Sequence, residues 1–293
     1  MTGWDAKARA QYARPGDLAQ DFCLWPYTPP RQPTDDALRS SALLYKSFEI
    51  AGLGPEMLAL TDAIRERWGR FATVWGMKWS EAGPSWEFYF YDYARGSRRL
   101  GIKDFLDATK NQLSCALLPD DSRPYFMFSV EISKEHLDGK PLDQIDVYMG
   151  NPGSTVSSGI CYGLTTAGYT MRNFYFFFDA VREAKAIHDK LTESVYLPQG
   201  MNRLDDLLWP EMAGAETIVV ANKQQRDGLY FSRIRAAQLA VFLERLSFPA
   251  PLRAFLAENM DALDHLLYDV GWDFDFGADG TVTPTKGSFY GLL

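Results

Sequence analysis

Hydrophobic and polar positions alternate with period two in one stretch of this chain after another. The clearest case is Trp86-Glu-Phe-Tyr-Phe-Tyr-Asp-Tyr93. Side chains on a strand point to opposite faces in turn. One face of this segment is Trp86, Phe88 and Phe90; the other is Glu87, Tyr89, Tyr91 and Tyr93. The first suits a dry core. The second is large and aromatic, yet every member carries a polar tip, which suits the wall of a cavity better than open solvent.

The same reading extends along the chain. Val74 to Trp79 sets Gly76 and Lys78 opposite Trp75, Met77 and Trp79. Tyr125 to Ile132 sets Met127, Ser129 and Glu131 opposite Phe126, Phe128, Val130 and Ile132. Asp146 to Met149 is a short strand. Ile160 to Thr165 and Thr170 to Phe178 form a hairpin, with Asn173, Tyr175 and Phe177 opposite Phe174, Phe176 and Phe178. Thr217 to Lys223 and Leu229 to Arg233 form another, and Tyr268 to Phe276 with Thr281 to Leu292 a last one. Helical periodicity marks 35–51, 56–68, 102–113, 180–194, 204–212, 236–246 and 251–267, with a helical turn at 133–137.

About ten antiparallel strands in hairpins thus alternate with helices, an α+β pattern. Residues 1–33, rich in Pro, Asp and Arg, read as an irregular lead-in, and residues 34–293 as a single αββα-type domain. The strands could form an open sheet with its polar face in water, or close into a barrel with helices outside and a chamber inside. The tyrosines of the second face favour the barrel.

Composition narrows the partners. The chain has 293 residues, a net charge of −8 and 46% hydrophobic content, enough for a sizeable core. Its acidity and lack of a basic cluster disfavour nucleic acid. No apolar run reaches membrane-spanning length and no signal-peptide pattern opens the chain, so a cytoplasmic protein is expected. Cys23, Cys115 and Cys161 have no metal spacing and are expected to be idle thiols. His136, His188 and His265 fall on predicted helices in surface or capping roles. Asp273-Phe-Asp275 to Gly280 reads as a hairpin turn, because a calcium loop would need different ligand spacing and a closing Glu. Ser154, Ser157 and Ser158 lie in a Gly/Ser-rich loop without the elbow of a serine hydrolase.

Asn222-Lys223-Gln-Gln-Arg-Asp-Gly-Leu-Tyr230-Phe231-Ser232 resembles a hairpin of the soluble aromatic prenyltransferases of the ABBA, or PT-barrel, type. Members carry a basic residue before such a turn and a Leu/Val-Tyr-Phe-Ser/Arg strand after it. The likeness is mainly architectural and spans about residues 70–293. It departs from the family between Glu131 and Ile160, where no full helix separates successive hairpins. The resemblance implies transfer of a prenyl group from a prenyl diphosphate to an aromatic or indole acceptor inside a Tyr-lined barrel. Its motif bears directly on Lys223 and Tyr230.

By face assignment, Lys78, Lys223, Lys286 and Arg172 are the anion-binding candidates. Tyr89, Tyr91, Tyr175, Tyr230 and Tyr290 would shield an allylic cation, and Glu87 or Glu131 would accept the acceptor's proton. Asp35-Asp36, Asp120-Asp121 and Asp205-Asp206 do not continue into an Asp-Asp-x-x-Asp metal signature. No cofactor is required by the sequence, and Mg2+ is compatible with a diphosphate substrate. The alternatives are a hydrophobic small-molecule binding protein with the same cavity, and an open sheet whose tyrosine face docks a protein partner.

Overall fold

The computed structural model describes residues 3–19, 27–92, 98–119, 123–150, 157–198 and 204–293. Tyr93, Cys23, Asp120, Asp121 and Ser154 lie outside the described residues, as does the side chain of Asp205.

The alternating segments are the strands. β1 (Thr73–Ser80) and β2 (Gly83–Tyr91) make the first hairpin; β3 (Met127–Ile132) and β4 (Ile145–Gly150) follow. β5 (Ser158–Thr165) and β6 (Gly168–Asp179), β7 (Thr217–Lys223) and β8 (Asp227–Arg235), and β9 (Leu267–Phe276) and β10 (Val282–Leu292) complete the set. Each pairs antiparallel with its neighbours in sequence. β1 also pairs with β10 from Val74↔Leu292 to Ser80↔Lys286, which closes the sheet into a ten-stranded barrel. The open-sheet alternative is therefore set aside. The β3–β4 seam is the shortest, with three paired positions from Met127↔Tyr148 to Ser129↔Asp146.

The apolar face of each strand points outward into helices. α1 (Gly3–Arg9), α2 (Ser41–Ile50) and α3 (Pro55–Trp68) precede the barrel, and α4 (Ile102–Thr109) and the single turn α5 (Lys134–Leu137) flank β3. α6 (Ala184–Thr192) follows β6, and α7 (Ala236–Arg245), α8 (Ala250–Glu258) and α9 (Met260–Leu263) connect β8 to β9. Trp75, Trp86, Phe88, Phe128, Val270 and Phe289 are buried in this outer core. The indole of Trp86 packs edge-on against Phe48 of α2 and donates to Ser47 Oγ at 2.7 Å. No helix among the described residues is long and apolar enough to cross a membrane.

Several predicted elements change shape for local reasons. Residues 3–9 of the expected irregular lead-in are helical, because Trp4 docks on Tyr45 and Phe48 and donates to the Leu53 carbonyl at 2.7 Å. A seven-residue helix held by one docked indole has too little periodicity to read from sequence. The helix expected over 204–212 is two short 3-10 turns, since Pro210 removes a backbone donor and obstructs the preceding turn. The helix expected over 251–267 breaks at Asn259 into α8 and α9. Phe126 precedes β3 and packs with the lumen side chains instead of the outer core.

Two glycines set the bore. Tyr230 pairs with Gly271 across β8 and β9, and Tyr290 with Gly76 across β10 and β1. Each ring lies flat over the glycine. A Cβ on Gly271 would stand 2.1 Å from Tyr230 Cδ1, and one on Gly76 2.7 Å from Tyr290 Cε1. Gly271→Ala must push the Tyr230 ring into the lumen. A loss of about 1–3 kcal/mol in urea denaturation is expected. The loss should shrink in a Tyr230→Ala background, because the two positions are coupled through one contact. Equal losses in both backgrounds would show that the ring is not what the glycine accommodates.

Candidate functional site

The inward faces divide the lumen into two zones. Toward one end, Val74, Tyr91, Met127, Cys161, Val219 and Leu292 pack together and fill the bore. Residues 13–19 and 27–33 border this end beside Phe71 and Val74, around a small cavity of about 90 Å³. Toward the end that carries the hairpin turns, the lumen opens into a chamber of about 750 Å³. Tyr89, Tyr148, Tyr175, Tyr230 and Tyr290 form an aromatic band in its wall. Tyr175 stands 6.0 Å from Tyr148 and 6.1 Å from Tyr230, and Tyr89 5.8 Å from Tyr290, centroid to centroid. Burial, the largest cause in each case, pushes all five phenols well above the ordinary tyrosine pKa, so they remain hydrogen-bond donors at neutral pH.

Charged side chains ring the mouth above this band. Lys78 Nζ lies 2.5 Å from Glu87 Oε2 and 2.6 Å from Glu131 Oε2. Burial works against the Lys78 charge, but Glu131 and Glu87 outweigh it and hold the pKa well above the ordinary lysine value. Glu87 also accepts from the Tyr89 hydroxyl at 2.6 Å and from Ser129 Oγ. Glu131 accepts from Ser85 Oγ at 2.6 Å and sits at the rim, its side chain about half open to the mouth. Its enclosure by the barrel wall would raise its pKa, yet Lys78 brings it down to about 2.

A second cluster lies on β7, β9 and β10. Asp273 receives Lys223 Nζ at 2.5 Å on one oxygen and Lys286 Nζ at 2.9 Å on the other. Burial opposes the charge of Asp273, but the two lysines win and its pKa falls to about 2. Lys286 is shifted down, first by burial and then by Lys223. Lys223 also reaches the Tyr230 hydroxyl at 3.2 Å, with its ammonium 5.6 Å from the ring centroid.

Asp146, on β4, has a different setting. Its Oδ1 accepts from Gln144 Nε2 at 2.7 Å, and Gln144 Oε1 accepts from Arg172 Nη1 at 3.0 Å. No lysine or arginine among the described residues forms an ion pair with it. Burial, with the charge of Glu87 second, lifts its pKa to about 6.

The structure thus brings Lys78, Glu87, Tyr89, Glu131, Arg172, Tyr175, Lys223, Tyr230, Lys286 and Tyr290 to one chamber. Tyr91 does not border it; its side chain packs deeper, in the filled zone. Arg172 and Asn173, adjacent in sequence, both reach the chamber mouth. A β-bulge on β6 explains this: Cys161 pairs with Asn173 and Tyr162 with Met171, so Arg172 is the extra residue that breaks the alternation. Asp146, Tyr148 and Asp273 were not among the sequence candidates. Period two would have found Asp273, since Asp269, Gly271, Asp273 and Asp275 share one face of β9. Among the described residues no group of three His, Cys, Asp or Glu side chains suits a metal ion. His136 caps α5, taking the Ser133 N–H on Nδ1 at 3.0 Å. Comparison with known protein families and with curated proteins finds no match to this chain.

Asp273 and Asp146 make stability depend on pH in opposite senses. Asp273 titrates near 2 when folded and near 3.8 otherwise. Its contribution is present above about pH 4 and is lost as pH falls toward 2. Asp273→Asn leaves Lys223 and Lys286 without a counter-ion, and a loss of about 3–5 kcal/mol at neutral pH is expected in denaturant titration. Asp146 is raised instead, from 3.8 to about 6. Ionisation therefore works against the fold as pH rises through that interval. Asp146→Asn should gain stability on the order of 2 kcal/mol at about pH 8 and little at about pH 4, as read from melting curves at both.

Proposed function

We propose that the barrel is an enzyme chamber for prenyl transfer from a prenyl diphosphate to an aromatic acceptor. One observation carries this reading: a ring of lysines and carboxylates sits directly above a band of five tyrosines in a closed barrel. Such a chamber fits a ligand with an anionic head and an apolar body. The Lys223–Asp273–Lys286 cluster holds two ammoniums against one carboxylate, which leaves an uncompensated positive charge for a diphosphate. Lys78 is matched by two carboxylates and contributes less.

In this reading the allylic C–O bond breaks and the diphosphate leaves on the lysine side. The tyrosine faces shield the cation, whose C1 forms a bond to an acceptor ring carbon. The ring then returns a proton to the protein. Glu87 is the proposed acceptor, reached through the Tyr89 hydroxyl that already donates to it at 2.6 Å. Glu131, at the rim, would serve only a proton released near the mouth.

A second reading has its own support. All three chamber lysines already hold carboxylates, so the chamber would also suit a neutral aromatic ligand. Calorimetry with dimethylallyl and geranyl diphosphate, with and without Mg2+, followed by turnover assays with aromatic acceptors, separates the two. Prenyl transfer requires diphosphate binding that weakens at least about tenfold in Lys223→Glu, the loss of one charge-assisted contact. No diphosphate binding and no turnover would overturn it. Binding of a neutral aromatic that ignores Lys223→Glu would favour the second reading.

A further inference from the structure

The charges of the chamber are unevenly distributed around its wall. The order of strands in the ring places β4 five strands from β9 in either direction, so the two face each other across the lumen. On the β9 side, Lys223 and Lys286 share the single carboxylate of Asp273. On the side formed by β2, β3 and β4, Glu87, Glu131 and Asp146 stand against two cations from flanking strands, Lys78 of β1 and Arg172 of β6. One wall therefore has an excess of positive charge and the opposite wall an excess of negative charge.

Within the negative wall, Glu87 and Glu131 are committed to Lys78; on the opposite side, at the rim, Asp275 faces Arg226 at 3.6 Å. Among the described residues, Asp146 has only a neutral amide as hydrogen-bond partner, which fixes Oδ1 and leaves Oδ2 open. A carboxylate in the wall of a partly enclosed chamber, without a cation of its own, gains from an opposite charge brought by a ligand. The neighbouring rings of Tyr148 and Tyr175 offer π faces that a cation also favours.

We propose that Asp146 is the anchor for a cationic amine carried on an aromatic ligand, bound on the β4 side of the chamber opposite the lysine cluster. In the prenyl-transfer reading this ligand is the acceptor. The inference rests on that reading for the ligand's role, but not for its binding. Gln144, itself held by Arg172, is the positioning residue that aims Asp146 into the chamber.

Calorimetry at about pH 8, with Asp146 ionised, tests this with tyramine, with 4-ethylphenol as its neutral counterpart and with 3-(4-hydroxyphenyl)propionate as an anionic one. The wild-type protein should bind tyramine at least about tenfold more tightly than 4-ethylphenol. Asp146→Asn should lose that preference while binding 4-ethylphenol unchanged. An equal affinity for amine and neutral ring, no binding of tyramine by the wild type, or a preference that survives Asp146→Asn would each overturn the anchor. The wild-type comparison stands even if the variant does not fold. Amine preference without diphosphate binding would sink prenyl transfer alone; diphosphate binding without amine preference would sink the anchor alone.

Discussion

The interior of this protein exists only because β1 and β10 pair across seven consecutive positions, from Val74↔Leu292 to Ser80↔Lys286. Without that seam the tyrosines of β2 and β8 would face water on an open sheet, and the lysines would be ordinary solvated side chains. With it, the same residues share one enclosed volume. Closure also removes both free edges, which an open ten-stranded sheet would otherwise present to other chains. The partners in this seam are more than 200 residues apart in sequence, so the chamber depends on one of the most distant contacts the chain makes.

Enclosure then dictates the chemistry of the wall. Charges inside a barrel lose much of their hydration and persist only with counter-ions close by. The chamber meets this with shared partners: Lys78 between two glutamates, Asp273 between two lysines. Neither cluster is neutral, and the two imbalances have opposite sign. The result is a fixed field across the lumen, bordered by tyrosines that stay protonated.

Much of this was legible before any coordinates. Period two alone separated Trp86, Phe88 and Phe90 from Glu87 and Tyr89, and the structure places the first set against helices and the second in the lumen. The tyrosines also tipped the choice between open sheet and barrel correctly, because a large side chain with a polar tip suits neither a dry core nor bulk water. Depth along a strand was not legible. Tyr89 and Tyr91 share a face, yet only Tyr89 borders the chamber, because the bore is filled at one end and open at the other. Pairings between strands were equally hidden. Nothing local to Asp273 announces two lysines from other strands, and its neighbours Asp275 and Gly280 suggested only a turn. Asp146 escaped because its strand is short and its setting depends on Gln144 and, through it, on Arg172 of another strand.

The flat tyrosines over Gly76 and Gly271 have a consequence for how such a chamber changes over time. The width of the lumen is set at two positions where the wall has no side chain, and a single base change converts a glycine codon to one for alanine. A change at Gly76 would tilt the Tyr290 ring inward and leave the lysines in place, whereas one at Gly271 would also shift the Tyr230 hydroxyl that Lys223 reaches at 3.2 Å. The cross-section of the ligand site can thus change at Gly76 independently of its charged end, while at Gly271 the two change together.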